Sequence, residues 1–291
     1  MNPRRDVYGL LWVAIFSALW LVLLIGLNIA VGVLLVGSLL LTSGGDALSG
    51  VEPLLAGGVE DALPDWFFAA LLSVQMPAML GLTLLVAWMY RTWQGSRGER
   101  VVPWAGLFAA RSAPLGAFAV AAVVGVTVGW LPGWFAGWLR ELLPWLDLGA
   151  LELIEDALTG GTPLLRLVAG FWIVAGAGLF EELVFRGLLW RLLLRSASPV
   201  AVWLATSLLF AVYHMDPVQS LALIPTALAL GWLRLRTGSL WPCVTVHMLN
   251  NGLGVLAVWI GLSEGPPLWG CALAFTVAVG ALALTPRVQP S

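Results

Sequence analysis

Gly178-Leu179-Phe180-Glu181-Glu182-Leu183-Val184-Phe185-Arg186-Gly187 is the stretch whose reading decides the rest of this chain. It sets two adjacent carboxylates and an arginine inside an apolar run from about 164 to 194, long enough for a membrane-spanning helix. Ionisable groups in a bilayer are costly and mark functional sites. No other predicted span holds a pair of acids, and the only two histidines, His214 and His247, lie in later apolar runs.

Composition places that run in a membrane protein. Of 291 residues, 60% are hydrophobic and 10% charged, and the mean hydropathy is +0.94; a soluble domain carries about 25% charged residues. That much apolar surface needs lipid around it. The chain reads as one integral membrane domain, 1–291, because successive spans share one lipid-embedded core. All 14 basic residues are Arg, without a basic run suited to nucleic acid. The two cysteines, Cys243 and Cys271, sit in apolar runs and form neither a disulfide framework nor a Cys-based zinc motif. The first apolar run, after Arg4 and Arg5, is too long for a cleavable signal and is expected to stay as a span.

Eight spans are expected, at about 8–41, 66–90, 114–138, 164–194, 199–214, 218–235, 240–261 and 267–285. The first is overlong and is expected to tilt, protrude or break near Gly26, Asn28 or Gly32. Charge alternates along the connections. Arg4 and Arg5 precede an acidic loop with Asp46, Glu52, Glu60, Asp61 and Asp65, and Arg91, Arg97, Arg100 and Arg111 follow. A mostly acidic connection comes next, then Arg191 and Arg195, Asp216, Arg234 and Arg236, Glu264, and Arg287. Basic loops stay inside, so both termini are expected in the cytoplasm. Residues 99–112 are expected to lie in the cytoplasmic interface, and 134–158 to form an amphipathic helix on the opposite face. The fold class is therefore all-α, a polytopic bundle of about eight transmembrane helices with one or two interfacial helices.

The polar residues divide by spacing. Glu182 precedes Arg186 by four, a favourable i,i+4 pair that neutralises two buried charges. Glu181 points about 100° away on a 3.6-residue helix and is expected to act as general base on a water molecule. Phe210 lies one turn before His214, and Asn251 one turn after His247. Imidazoles hold water or a metal, and an amide suits an oxyanion contact. Each residue has a plain reading as well: a helix–helix hydrogen bond for His214, His247 or Asn251, a buried structural pair for Glu182 and Arg186. A proton-coupled transporter could use the same groups, but paired broken helices in corresponding halves are not seen.

Three motifs carry a resemblance. Glu181-Glu182-Leu183-Val184-Phe185-Arg186 fits EExxxR, Phe210-Ala211-Val212-Tyr213-His214 fits FxxxH, and His247-Met248-Leu249-Asn250-Asn251 fits HxxxN. In that order they resemble the CPBP family of intramembrane proteases, also called the type II CAAX prenyl endopeptidase or ABI family. The likeness spans about residues 164–262, a catalytic core by analogy. It implies an intramembrane endopeptidase cutting a membrane-associated peptide or protein, with the site open to the cytoplasmic side. It also implies that Glu181 activates water, that His214 and His247 hold that water or, with Glu181, a divalent metal ion such as zinc, and that Asn251 assists at the oxyanion. Glu182 and Arg186 would support them. The all-Arg chain looks prokaryotic, which places it in a plasma membrane without prenylated substrates. The alternative from another class is a non-proteolytic regulatory or immunity scaffold on the same fold.

Overall fold

The computed structural model describes residues 6–42, 66–129, 131–146, 149–262 and 268–286. Arg4, Arg5, the acidic loop 43–65, Asp147, Glu264 and Arg287 lie outside them. Among the described residues the protein is helical, with no strand. In lipid this is the expected solution, because a helix satisfies its backbone hydrogen bonds within one segment.

Eleven helices are described: α1 Tyr8–Thr42, α2 Phe67–Ser96, α3 Trp104–Leu107, α4 Leu115–Val128, α5 Leu131–Leu142, α6 Ala150–Thr159, α7 Pro163–Leu193, α8 Pro199–Val212, α9 Pro217–Thr237, α10 Trp241–Trp259 and α11 Leu268–Ala283. Five stretches are long and apolar enough to cross a membrane unaided: Tyr8–Leu27, α2, Leu115–Leu142, α7 and α9. The other three expected spans are α8, α10 and α11, which are short or carry polar groups. The protein is integral to the membrane, a polytopic helical bundle.

Local chemistry sets the helix starts. Thr162, Ser198 and Asp216 are N-caps whose side chains accept from the backbone N–H three residues on, and each is followed by Pro at the first helical position. The α9 helix ends on Gly238, whose φ of +64° is the left-handed stop that glycine provides without strain.

The first expected span is a continuous helix over Tyr8–Thr42, and the third is matched by Leu115–Leu142, helical through Val128 and again from Leu131. Expectation and structure part company at two places. The acidic connection forms two amphipathic helices, α5 and α6, separated around Pro144, rather than one. Residues 99–112 do not simply lie on the interface. Leu107, Phe108 and Ala109 are buried, Leu240 N donates to Ala109 O at 3.0 Å, and Ser239 Oγ donates to Arg111 O at 2.6 Å. That segment caps the end of the bundle where α7 stops and α10 begins.

Two cores hold the bundle. One joins α1, α2, α7 and α8 through Phe16, Val86, Tyr90, Leu188, Leu189 and Phe210. The other joins α4, α9, α10 and α11 through Val124, Leu230, Leu233, Val246 and Cys271. Buried polar groups find partners across helices, such as Trp203 Nε1 to Leu228 O at 2.9 Å and Tyr213 Oη to Ser17 Oγ at 2.8 Å. Such bonds hold membrane helices together where water is absent.

Candidate active site

The acidic pair lies in α7 between two π-helical stretches, Trp172–Ala177 and Leu183–Leu189. Such insertions recur at functional sites, where they re-aim side chains that an unbroken α-helix would place elsewhere. Glu182 and Arg186 still pair at 2.9 Å, and both side chains are fully buried. Arg186 Nη2 also donates to Ala227 O at 2.9 Å, and its guanidinium stands 4.6 Å from the centre of the Phe210 ring.

The next helix of the site, α10, packs hard against α7. A Cβ on Gly178 would lie 2.5 Å from Met248 Cγ and 3.3 Å from the Met248 backbone N and Cα. Only glycine allows this approach. It seats His247 beside the two glutamates: His247 Nδ1 is 2.9 Å from Glu182 Oε1, and Nε2 is 3.8 Å from Glu181 Oε2. Glu182 is an acceptor through its pairing with Arg186, so Nδ1–H donates to it and Nε2 faces Glu181. That second separation is too long for a direct hydrogen bond. Glu181 Oε2 is buried and has no hydrogen-bond partner among the described residues.

His214 follows the end of α8. Its Nδ1–H donates to Phe210 O at 2.9 Å, which leaves Nε2 as the acceptor. Phe210 packs against both imidazoles, with ring centres 5.0 Å from His214 and 5.6 Å from His247. Both rings thus pack against one phenyl group. Asn251 Nδ2 donates to Ile173 O at 2.8 Å, fastening α10 to the first π stretch and leaving one N–H of the amide.

This geometry bears on a metal. Among the described residues no three His, Cys, Asp or Glu side chains group as ligands. Glu181 and His247 present two donor atoms, whereas a catalytic zinc site uses three protein ligands. His214, the expected third, is outside the group. The residues as placed do not fit a zinc centre.

Sequence reasoning missed three participants. Glu182 was assigned to Arg186 alone, yet it also holds His247. Ala227 O, which accepts from Arg186 and from Ser207 Oγ, carries no side-chain signal. Asn250 donates to Asn251 Oδ1 at 3.1 Å, while its own Oδ1 is buried with no hydrogen-bond partner among the described residues; the doubled Asn was the only hint.

With that geometry in place, the comparison with known families can be read. Residues 163–253 match the family model described as type II CAAX prenyl endopeptidase, Rce1-like. This segment is similar to the Rce1-like family. The Rce1-like segment begins with α7 and ends within α10, so it contains Glu181, Glu182, Arg186, His214, His247 and Asn251. Over these residues the chain is similar to that family. No curated protein and no solved structure matches the chain.

Proposed function

We propose that the protein is an intramembrane endopeptidase in which Glu181 activates a water molecule against a peptide bond of a membrane-associated polypeptide. The observation that carries this reading is the clamp on His247: Nδ1–H is held by Glu182, and Nε2 faces Glu181 Oε2 across 3.8 Å. A polar contact of that length suits a bridging water. Such a water would donate one hydrogen to Nε2 and one to Glu181.

The chemistry then balances with groups of this chain. Glu181 takes a proton as the water oxygen bonds to the carbonyl carbon, and returns it to the leaving nitrogen as the C–N bond breaks. The remaining N–H of Asn251 is suited to the developing oxyanion. His214, with Nε2 as acceptor, is assigned to orienting the water or the substrate amide. Glu182 and Arg186 act as positioning residues. A divalent ion would supply a more acidic bound water; no step here is routed through one. The Arg residues at the end of the bundle near Asp6 and Glu99 favour a cytoplasmic amino terminus.

The test is product analysis. Pure full-length protein in liposomes is mixed with a panel of membrane-anchored peptides and the products are weighed by mass spectrometry. New termini from internal cleavage are expected. An intact panel, together with biological effects that persist in Glu181→Gln and His247→Ala, would favour a scaffold instead.

A further inference from the structure

We propose that the arginine-rich end of the bundle holds the phosphate of an anionic lipid headgroup between Arg234, Arg191 and Arg111. The inference stands apart from the endopeptidase reading, because headgroup binding needs no cleavage.

Arg234 is the floor of the site. It lies in the last turn of α9 and is only 7% exposed. Its Nε donates to Arg186 O at 2.8 Å, and its guanidinium stands 5.2 Å from the centre of the Trp190 ring. Nη1 and Nη2 meet no acceptor among the described residues, and neither is sealed from solvent as Arg186 Nε is. A buried cation is costly unless it is paired, so this one calls for an anion from outside. Its two free nitrogens suit the bidentate bonds that a guanidinium gives to phosphate.

Two more cations face the same place. Arg111 and Arg191 are the arginines whose charge bears on Arg234. Arg191 follows Trp190 on α7, and Arg111 reaches over the end of α9, its Cζ 3.8 Å from where a Cβ on Gly238 would stand. Arg97, Arg140, Arg186 and Arg195 each pair with a carboxylate; among the described residues these three do not. The carbonyl ends of α7 and α9 supply roughly half a negative charge each, which leaves about two positive charges over.

The surroundings favour a lipid over a phosphate free in water. Trp241 opens α10 two residues beyond Ser239, whose Oγ holds Arg111 O. Trp104 stacks on Phe108, the residue that covers Gly187. Both indoles are exposed, at 40% and 42%, as in the aromatic belt that marks headgroup depth. Basic pockets between helices at that depth take anionic headgroups.

The test is native mass spectrometry of the full chain in detergent, titrated with phosphatidylglycerol or with phosphatidylcholine of the same acyl chains. Phosphatidylglycerol is expected to bind ~10-fold or more tightly. Arg234→Gln should weaken it by ~10-fold, and Arg111→Gln and Arg191→Gln by ~5-fold each, with phosphatidylcholine unaffected. Arg100→Gln removes an exposed charge from the same end and should bind as the parent does. Where Arg234→Gln does not fold, the other two variants decide. Equal affinity for the two lipids overturns the proposal. So does a loss in Arg100→Gln as large as in Arg111→Gln and Arg191→Gln, which would mean that surface charge alone gathers the lipid. Displacement of the lipid by inorganic phosphate at equal concentration would assign the site to free phosphate and overturn it as well.

Discussion

Glu182 and His247, on helices that pack closely where Gly178 meets Met248, share a hydrogen bond of 2.9 Å. The same carboxylate oxygen also accepts from Arg186. One buried atom therefore fixes the tautomer of the imidazole and neutralises the cation beside it.

Removing one partner of that buried pair should be severe. Glu182→Ala leaves Arg186 charged, buried and short of its partner, and a loss of about 3–5 kcal/mol is expected. The double variant Glu182→Met with Arg186→Met should recover much of that stability without recovering cleavage. Thermal unfolding in detergent and a cleavage assay, run on the same preparations, check both halves.

Gly178→Val tests the helix contact rather than the chemistry. Its branches meet the Met248 backbone, not only the flexible side chain, so overpacking of about 1–3 kcal/mol is expected. The displaced α10 should carry His247 away from Glu182. Cleavage is expected to fall more than ten-fold (about 1.4 kcal/mol in the barrier) even where the protein remains folded. Gly254→Ala, at an open position of the same helix, should be harmless to stability and serves as the control.

Acid should loosen the end of the bundle where α7 finishes. Arg195 bonds Asp6 and Glu99, and those hydrogen bonds, ahead of burial, hold both carboxyls below their ordinary values of 3.8 and 4.5. Groups depressed in the folded state contribute stability above those ordinary values and lose it as pH falls through the folded ones. Arg195→Gln should therefore cost about 0.2–1 kcal/mol of stability per pair at pH 7, seen as a lower melting temperature, and the gap to the parent should close below about pH 3. Melting curves across that range decide it.

The ligand geometry also makes a claim about metal. With two donor groups in place and His214 apart, dialysis against a chelator is expected to leave both the melting temperature and the cleavage rate unchanged. Stoichiometric zinc in the pure protein, lost in His214→Ala, would show that His214 joins Glu181 and His247 around an ion.

Much of this was legible in the residues. Hydropathy found the spans because a bilayer imposes a length on each of them, and the α7 and α9 boundaries differ from the expected ones by one or two residues. The pairing of Glu182 with Arg186 followed from helical spacing. Its bond to His247 did not, because it depends on how closely two distant helices approach. His247 Nε2 and Glu181 Oε2 lie 3.8 Å apart, and Phe210 packs against both imidazoles. The motif spacing placed Phe210 one turn from His214 but could not show that it would also meet His247.

The central claim is that Glu181 carries the proton. The direct measurement is kcat for parent and Glu181→Gln on the same membrane-anchored peptide, with melting temperatures taken in parallel. A fall of about 10²–10⁴-fold at an unchanged melting temperature is expected of a lost general base. Cleavage by Glu181→Gln at the parental rate would contradict it.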